Sequence, residues 1–173
     1  SVYSPYAQTV ITVFMVLFSV NFTLYYLVLI GKLRQALRSE ELWTFLGIFA
    51  AASLAIAGNI LPGFRGFGEA VRHAAFTAAS MMSTSGFAIS DFNLWPWFSK
   101  MVLLLLMFVG ACAGSTGGGI KIVRILIGTK LARRGVQRAI HPQQVKCIHI
   151  DGEPVDEDTC GSVSAFLLVY ALL

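Results

Sequence analysis

A short polar segment, residues 83–88, lies between two apolar segments that are each long enough to enter a membrane. Its small residues and single glycine suit an extended backbone whose carbonyl groups face an ion. Bare backbone at membrane depth is tolerated only where it is buried in protein or lines a water-filled cavity. The pattern therefore predicts an ion filter formed by the carbonyls of Thr84, Ser85, Gly86 and Phe87. The alternative is an ordinary turn, although turns normally lie at the surface.

A glycine-rich run occupies residues 114–119 further along the chain, and Lys121 follows it closely. The run superficially matches a phosphate-binding loop. However, Ile120 separates the last glycine from the lysine, and Ile122 stands where a magnesium-binding Ser or Thr is needed. The residues before the run also have the character of a membrane helix and not of a buried strand. These mismatches argue against a nucleotide-binding enzyme, and the sequence shows no other enzyme active site.

The composition is that of an integral membrane protein. Of the 173 residues, 56% are hydrophobic and only 13% are charged, whereas soluble domains carry about 25% charged residues. The net charge of +4 does not indicate nucleic-acid binding, because the basic residues collect at the ends of apolar segments. Cys112, Cys147 and Cys160 are an odd set without a CxxC pair, so neither a disulfide framework nor a zinc site is expected.

The apolar segments predict four membrane spans and one shorter helix. The first span is Val10–Ile30, the second is Leu42–Leu61, the third starts near Phe98 and the fourth starts near Gly161. Between the second and third spans, Glu69–Met82 has a helical pattern but covers only about 21 Å, which is less than the bilayer core. We therefore predict a half-helix that points its C-terminus at the filter.

The third span requires an interruption, because a continuous helix over residues 98–134 would be about 55 Å long. Five glycines within residues 110–119 mark the place, since glycine is costly inside a helix and permits irregular backbone. The basic clusters at residues 32–38 and 121–138 are expected in the cytoplasm. Ser39 is the expected N-cap of the second span, and Asn21 is interpreted as a hydrogen-bonding contact between helices.

With these elements placed, nearly the whole sequence resembles the Trk/Ktr family of potassium-uptake proteins. The filter segment and the glycine-rich run are specific when they occur together. The matching residues are Asn21-Phe22, Tyr25-Tyr26, residues 83–88, Asp91-Phe92, Trp95-Pro96, residues 114–121 and His141-Pro142.

The resemblance implies an all-α integral membrane protein with four helix, pore loop, helix repeats around one pore. Potassium is then the transported ion, and the expected partners are the other repeats, a second copy in a homodimer, membrane lipid and a cytoplasmic nucleotide-binding regulatory subunit, with no nucleic acid. The implied location is the bacterial inner membrane. On this interpretation the sequence is a piece of a longer chain, in which 1–38 closes the preceding repeat, 39–138 is a complete repeat, 139–160 is a cytoplasmic linker and 161–173 starts the next transmembrane helix.

The filter segment differs from the potassium-channel sequence Thr-Val-Gly-Tyr-Gly, because Ser85 and Phe87 replace Val and Tyr and Ala88 replaces the second glycine. We therefore expect weaker selectivity, with Gly86 in a conformation that a side chain resists. The glycine-rich run is the predicted gate. Lys121 either pairs with another repeat or is a plain structural cation. The alternative function is a non-transporting membrane scaffold or small subunit with a structural re-entrant loop. The predicted gate residues are Gly114, Ser115, Thr116, Gly117, Gly118, Gly119 and Lys121.

Overall fold

The computed structural model of the protein describes residues 3–140 and 148–172, and this part of the chain is predominantly helical. The helices are α1 Pro5–Ser19, α2 Phe22–Leu29, α3 Leu33–Ala36, α4 Glu40–Ile60, α5 Phe67–Ser83, α6 Trp97–Val109, α7 Ile122–Ile140 and α8 Glu157–Leu172. Short 3-10 turns occupy Leu61–Gly63 and Phe92–Leu94, and the strands are β1 His149–Ile150 and β2 Glu153–Pro154.

The expectation of one continuous helix over Val10–Ile30 is wrong. The chain bends by 91° between α1 and α2. Val20 and Asn21 take extended conformations there, with ψ of 150° and 124°. Asn21 caps α2, since its Oδ1 accepts a hydrogen bond from the Thr23 N–H at 2.9 Å. The side chain of Asn21, which was expected to form a contact between helices, therefore stabilises the turn by capping α2. We call Val20–Asn21 the elbow.

Helix α4 with the 3-10 turn that follows it forms the longest apolar segment, Glu40–Gly63, of 24 residues. Within the described ranges it is the one helix long and apolar enough to cross a membrane, and α1 and α2 add a second if they count as one bent span. Ser39 is the N-cap residue as predicted, but its side chain does not cap the helix. The carboxylate of Asp151 does so instead, accepting from the Glu40 N–H at 2.6 Å.

Helix α5 is packed between α1 and α4. It has 17 residues, about 25 Å, so it extends the predicted half-helix slightly at both ends. Its alanines at 70, 74 and 78 are buried in one core with residues of α4, while Phe76 and Ala79 pack with Met15 of α1. Small side chains on the α4 side allow the two backbones to approach closely. Both faces of α5 are thus covered.

The predicted interruption of the third span is confirmed. Helix α6 ends at Val109, Gly110 has a φ of +70°, and regular helix resumes only at Ile122. We call the irregular residues 110–121 the glycine-rich loop. Helix α6 packs against α4 and α5, so the loop begins directly beside the core of the molecule.

Strands β1 and β2 form a hairpin, which is a small departure from the all-α prediction. His149 pairs with Pro154 and Ile150 with Glu153, joined by Asp151 and Gly152 at φ of +53° and +88°. Positive φ at both turn positions matches the twist of a two-residue hairpin. The alternating apolar and polar residues of 145–150 favour a short strand, which the structure has at His149–Ile150, whereas 145–147 lie outside the described residues. Helix α8 begins at Glu157, before the predicted Gly161, and packs against α7.

Candidate ion filter and glycine-rich loop

The candidate filter starts where α5 ends. The Thr84 N–H donates to the Met81 carbonyl at 3.2 Å, and the Ser85 N–H donates to the Ser80 carbonyl at 3.1 Å. This pairing is a Schellman-type helix end, in which a left-handed residue follows the last turn. Thr84 takes that position with a φ of +54°. A β-branched residue is strained there, and such strain occurs most often at functional sites.

After Thr84 the chain runs without regular structure through Ala88, and residues 84–88 are exposed. Gly86 has a φ of +74°, which confirms the expected conformation that side chains resist. Among the hydrogen bonds of the described residues, none has the carbonyl oxygen of Thr84, Ser85, Gly86 or Phe87 as its acceptor. These carbonyls are therefore available to a ligand.

Side chains fix the start of this segment against α1 and α5. The Ser85 hydroxyl lies 3.0 Å from the Met15 sulfur and 3.4 Å from the Ser80 hydroxyl. The Ser83 hydroxyl donates to Ser85 Oγ at 3.1 Å. Because Ser80 and Met15 are buried, the first residues of the candidate filter rest on the core and not on solvent.

The glycine-rich loop is hydrogen-bonded to the residues on either side of the elbow. The Cys112 N–H donates to the Ser19 carbonyl at 3.0 Å, the Thr116 N–H donates to the Phe18 carbonyl at 3.3 Å, and the Phe22 N–H donates to the Gly114 carbonyl at 3.2 Å. Broken helices leave backbone groups without intrahelical partners. Here the backbone groups left free at two helix breaks, which are far apart in the sequence, form hydrogen bonds with each other.

The two predicted sites meet directly. The Gly118 N–H donates to the Thr84 hydroxyl at 2.9 Å, so the loop reaches the first residue of the candidate filter. Lys121, which has a φ of +71°, donates from Nζ to the carbonyl of Gly117. Lys121 is therefore tied to its own loop, and its pairing with another repeat stays a prediction. The predicted gate residues lie together, at one end of the candidate filter.

Close backbone approach explains why the loop is so rich in glycine. A Cβ on Gly110 would lie 2.4 Å from the Gly118 carbonyl oxygen, and one on Gly119 would lie 2.7 Å from the Gly110 Cα. Real Cβ atoms do not approach backbone so closely, so the two ends of the loop can cross only as glycines. The glycines thus allow a compact crossing as well as an irregular path.

One residue of this region was missed by the sequence reasoning. Glu41 lies two residues after Ser39, the expected N-cap, yet it is buried, and its Oε1 accepts from the Ala113 N–H at 2.6 Å. Its position at the start of an apolar span is the sequence feature that indicates such a role, because an ionisable residue in a membrane segment is energetically unfavourable and usually functional. In the described part of the chain, no cluster of three or more His, Cys, Asp or Glu could hold a metal ion.

Comparison with known proteins gives concordant matches. A family model described as "TrkH: Cation transport protein" matches residues 63–173. The Trk system potassium uptake protein TrkH of Salmonella typhimurium is 31% identical over 175 residues, covering 98% of this chain and 36% of that protein. The protein of the same name from Halomonas elongata is 39% identical over 105 residues, covering 61% of this chain and 22% of that protein.

Among solved structures, the crystal structure of the potassium transporter TrkH from Vibrio parahaemolyticus matches with a TM-score of 0.88. It is 30% identical in sequence, and the match covers 98% of this chain and 37% of that chain. The chain thus spans a little over a third of the length of the Salmonella and Vibrio proteins. Since the family model covers more than half of the sequence, the chain belongs to the TrkH family of cation transport proteins.

Proposed function

We propose that this chain supplies one filter-bearing repeat of a four-repeat potassium-uptake pore in a membrane. The observation that carries the proposal is the exposed, extended backbone at 84–88 that follows the end of a short buried helix and leaves its carbonyl oxygens without protein donors. The relatives named as potassium uptake proteins support potassium as the transported ion. Potassium is therefore the substrate, and no enzymatic activity is proposed.

The chemistry of such a site is replacement of water by carbonyl oxygen. The carbonyls of Thr84, Ser85, Gly86 and Phe87 would coordinate a dehydrated cation together with the equivalent residues of other repeats. Helix α5 directs its C-terminus at this segment, and the partial negative charge of a helix C-terminus favours a cation. Without the second glycine, which Ala88 replaces, fewer well-formed rings of carbonyls are expected than in potassium channels, and hence lower selectivity.

We propose that the glycine-rich loop is the gate of this pore. Its hydrogen bond to Thr84 supports this role, because a movement of the loop would directly affect the first residue of the candidate filter. The gate consists of residues 114–119 with Lys121, whose tie to Gly117 would hold the resting conformation. An irregular backbone segment can exchange between blocking and open arrangements at little energetic cost.

The wider assembly is proposed from the family membership. Residues 1–38 close a preceding repeat, 39–138 form the complete repeat, 139–160 link it on the cytoplasmic side and 161–173 start the next membrane helix. The complete transporter would be a multi-pass protein of the bacterial inner membrane and a homodimer. Its regulator would be a cytoplasmic nucleotide-binding subunit, which the name "Trk system" of the relatives supports as a multi-component arrangement.

Gly86→Ser in the full-length protein tests the filter. Serine at a φ of +74° is strained by about 1–2 kcal/mol, so the carbonyls shift and the preference for potassium over sodium falls about tenfold. Gly31→Ser is a matched control, because Gly31 has a similar φ of +80° and equally open surroundings but lies outside the candidate filter. Tracer uptake into potassium-uptake-deficient cells, in competition with sodium, measures the ratio.

The competing function is a membrane scaffold with a structural re-entrant loop. A scaffold predicts no potassium flux through the purified full-length protein in liposomes. An unchanged potassium-to-sodium ratio in well-expressed Gly86→Ser protein would likewise reject the filter assignment.

A further inference from the structure

Glu41 is a buried carboxylate that the proposed filter and gate do not use. It lies in the first turn of α4 and is only 5% exposed. Glutamate is almost never so buried unless it is paired, because an uncompensated buried charge is strongly unfavourable. Its hydrogen-bond partners therefore indicate what it does.

The hydrogen bond that the structure gives this carboxylate reaches the glycine-rich loop, where the Ala113 N–H donates to Glu41 Oε1 at 2.6 Å. Asn21 at the elbow and Val123 in the first turn of α7 are further polar neighbours of the carboxyl group. Glu41 therefore lies where the elbow, the glycine-rich loop and the start of α7 meet.

The local electrostatics favour an anion at this position. Val123 lies in the first turn of α7, where backbone N–H groups have no helical acceptor and the helix dipole is positive. Glu41 lies in the first turn of its own helix α4, where the same dipole effect applies. The carboxylate consequently serves two helix N-termini at once, which a neutral side chain of equal size would do less well.

The start of α4 is itself anchored, so that Glu41 is a fixed point. The Ser39 hydroxyl donates to Asp151 Oδ2 at 3.2 Å, and the Glu40 N–H donates to Oδ1 of the same residue. The Glu40 carboxylate forms an ion pair with Lys130 of α7. Moving Glu41 away from Ala113 would require breaking these contacts as well.

We propose that Glu41 is a positioning residue that holds the glycine-rich loop beneath the candidate filter. The proposal rests on the proposed gate. By accepting the hydrogen bond from the Ala113 N–H, Glu41 fixes the start of the loop, and this sets where Gly118 meets Thr84. The residues that follow this fixed point, 114–121, are then the part that moves when the pore opens.

Glu41→Gln in the full-length protein is the test. Glutamine has the same shape but carries no charge and replaces one acceptor oxygen with an NH2 group, so it holds the Ala113 N–H less strongly than the carboxylate does. We expect basal potassium flux to rise about tenfold, equivalent to about 1.4 kcal/mol. Glu153→Gln is the control, since it removes the same charge at an exposed position of the hairpin and is expected to leave basal flux unchanged.

A second measurement does not depend on transport. With the native cysteines replaced, Thr116→Cys places a thiol at an exposed position of the loop, and its labelling rate by a charged thiol reagent reports loop exposure. The rate should rise severalfold in Glu41→Gln and stay constant in Glu153→Gln. Should Glu41→Gln fail to fold, Glu41→Asp, which withdraws the carboxylate from Ala113 while keeping the charge, is expected to raise the labelling rate similarly.

Unchanged labelling and unchanged basal flux in the folded Glu41 variant would overturn the positioning role. The proposed function would survive that result if Gly86→Ser still altered selectivity. Conversely, faster labelling without any potassium flux in the unmodified protein would retain the structural role of Glu41 and reject the transport function.

Discussion

At the residue scale, Thr84 connects the candidate filter to the glycine-rich loop through one hydroxyl group. Thr84 Oγ1 donates to the Ser83 carbonyl at 2.7 Å and accepts from the Gly118 N–H at 2.9 Å. The residue is strained, with a φ of +54° that is unusual for a β-branched side chain. The two hydrogen bonds of the Thr84 hydroxyl offset part of the free-energy cost of that backbone conformation.

Thr84→Val keeps the shape of the side chain and removes the hydroxyl. The Gly118 N–H then loses its acceptor at a cost of about 1 kcal/mol, and we expect the loop to leave its position and basal potassium flux to increase several-fold. Thr84→Ser, which retains the hydroxyl, should behave as the unmodified protein does. Flux into liposomes containing the full-length protein measures the difference, and equal basal flux in the two variants would contradict the link.

At the element scale, two interrupted helical segments depend on each other. The elbow between α1 and α2 exposes the carbonyls of Phe18 and Ser19, and the loop between α6 and α7 supplies the N–H groups that they accept. Irregular backbone in a membrane protein is stable only where such partners, or cavity water, are available. The bend between α1 and α2 therefore helps to hold the proposed gate in position.

Deleting residues 117–119 tests the loop as an element. The deletion removes the Gly118 contact to Thr84 and the anchor for Lys121, so we expect higher basal flux and weaker dependence on the proposed regulatory subunit. Gly135→Ala in α7 is a control, because a Cβ there meets no atom within 4 Å. If the shortened protein folds and its flux is unchanged or lower, the loop is not a gate.

Asp151 of the hairpin acts on α4 as an N-cap supplied from another element. Asp151→Gly removes the carboxylate but suits the φ of +53°, so it isolates the loss of the cap from any backbone strain. We expect the full-length protein to lose about 1 kcal/mol of stability, seen as a lower Tm. Glu153→Ala, an exposed change in the same hairpin, should have little effect. An unchanged Tm for Asp151→Gly would contradict the capping role.

At the scale of the whole molecule, the contacts indicate that both basic clusters lie on the same side of the membrane. Lys130 of α7 pairs with Glu40 at the start of α4, directly after residues 32–38. The hairpin lies there too, through Asp151. We therefore expect residues 32–41 and 133–159 in the cytoplasm, and residues 62–68 and 91–97 outside, in agreement with the positive-inside rule.

Single cysteines in a cysteine-free background test this topology in intact cells. A membrane-impermeant thiol reagent should label Gly68→Cys and Leu94→Cys from outside and should leave Arg34→Cys and Arg138→Cys unlabelled until the membrane is opened. Labelling of either arginine position from outside would invert the scheme, and with it the direction in which the proposed gate faces.

Local patterns in the sequence were sufficient to predict several elements. The length and hydropathy of 42–61 predicted α4, and the short amphipathic segment ending at Met82 predicted α5 to within a few residues. The glycines of 110–119 correctly predicted the interruption between α6 and α7, and Gly86 has the expected positive φ. Each of these properties depends on residues that are neighbours in the chain, so composition and spacing are enough.

Only the tertiary structure decided which groups meet. The elbow at Asn21 lies in an apolar segment that is otherwise typical of a continuous helix, and it becomes stable because residues 112–116 hydrogen-bond to its free carbonyls. Asp151 caps a helix that begins 111 residues earlier, and Glu41 reaches Ala113 across 72 residues. The free energy of such contacts belongs to pairs of distant residues, and no local pattern of hydropathy or spacing records them.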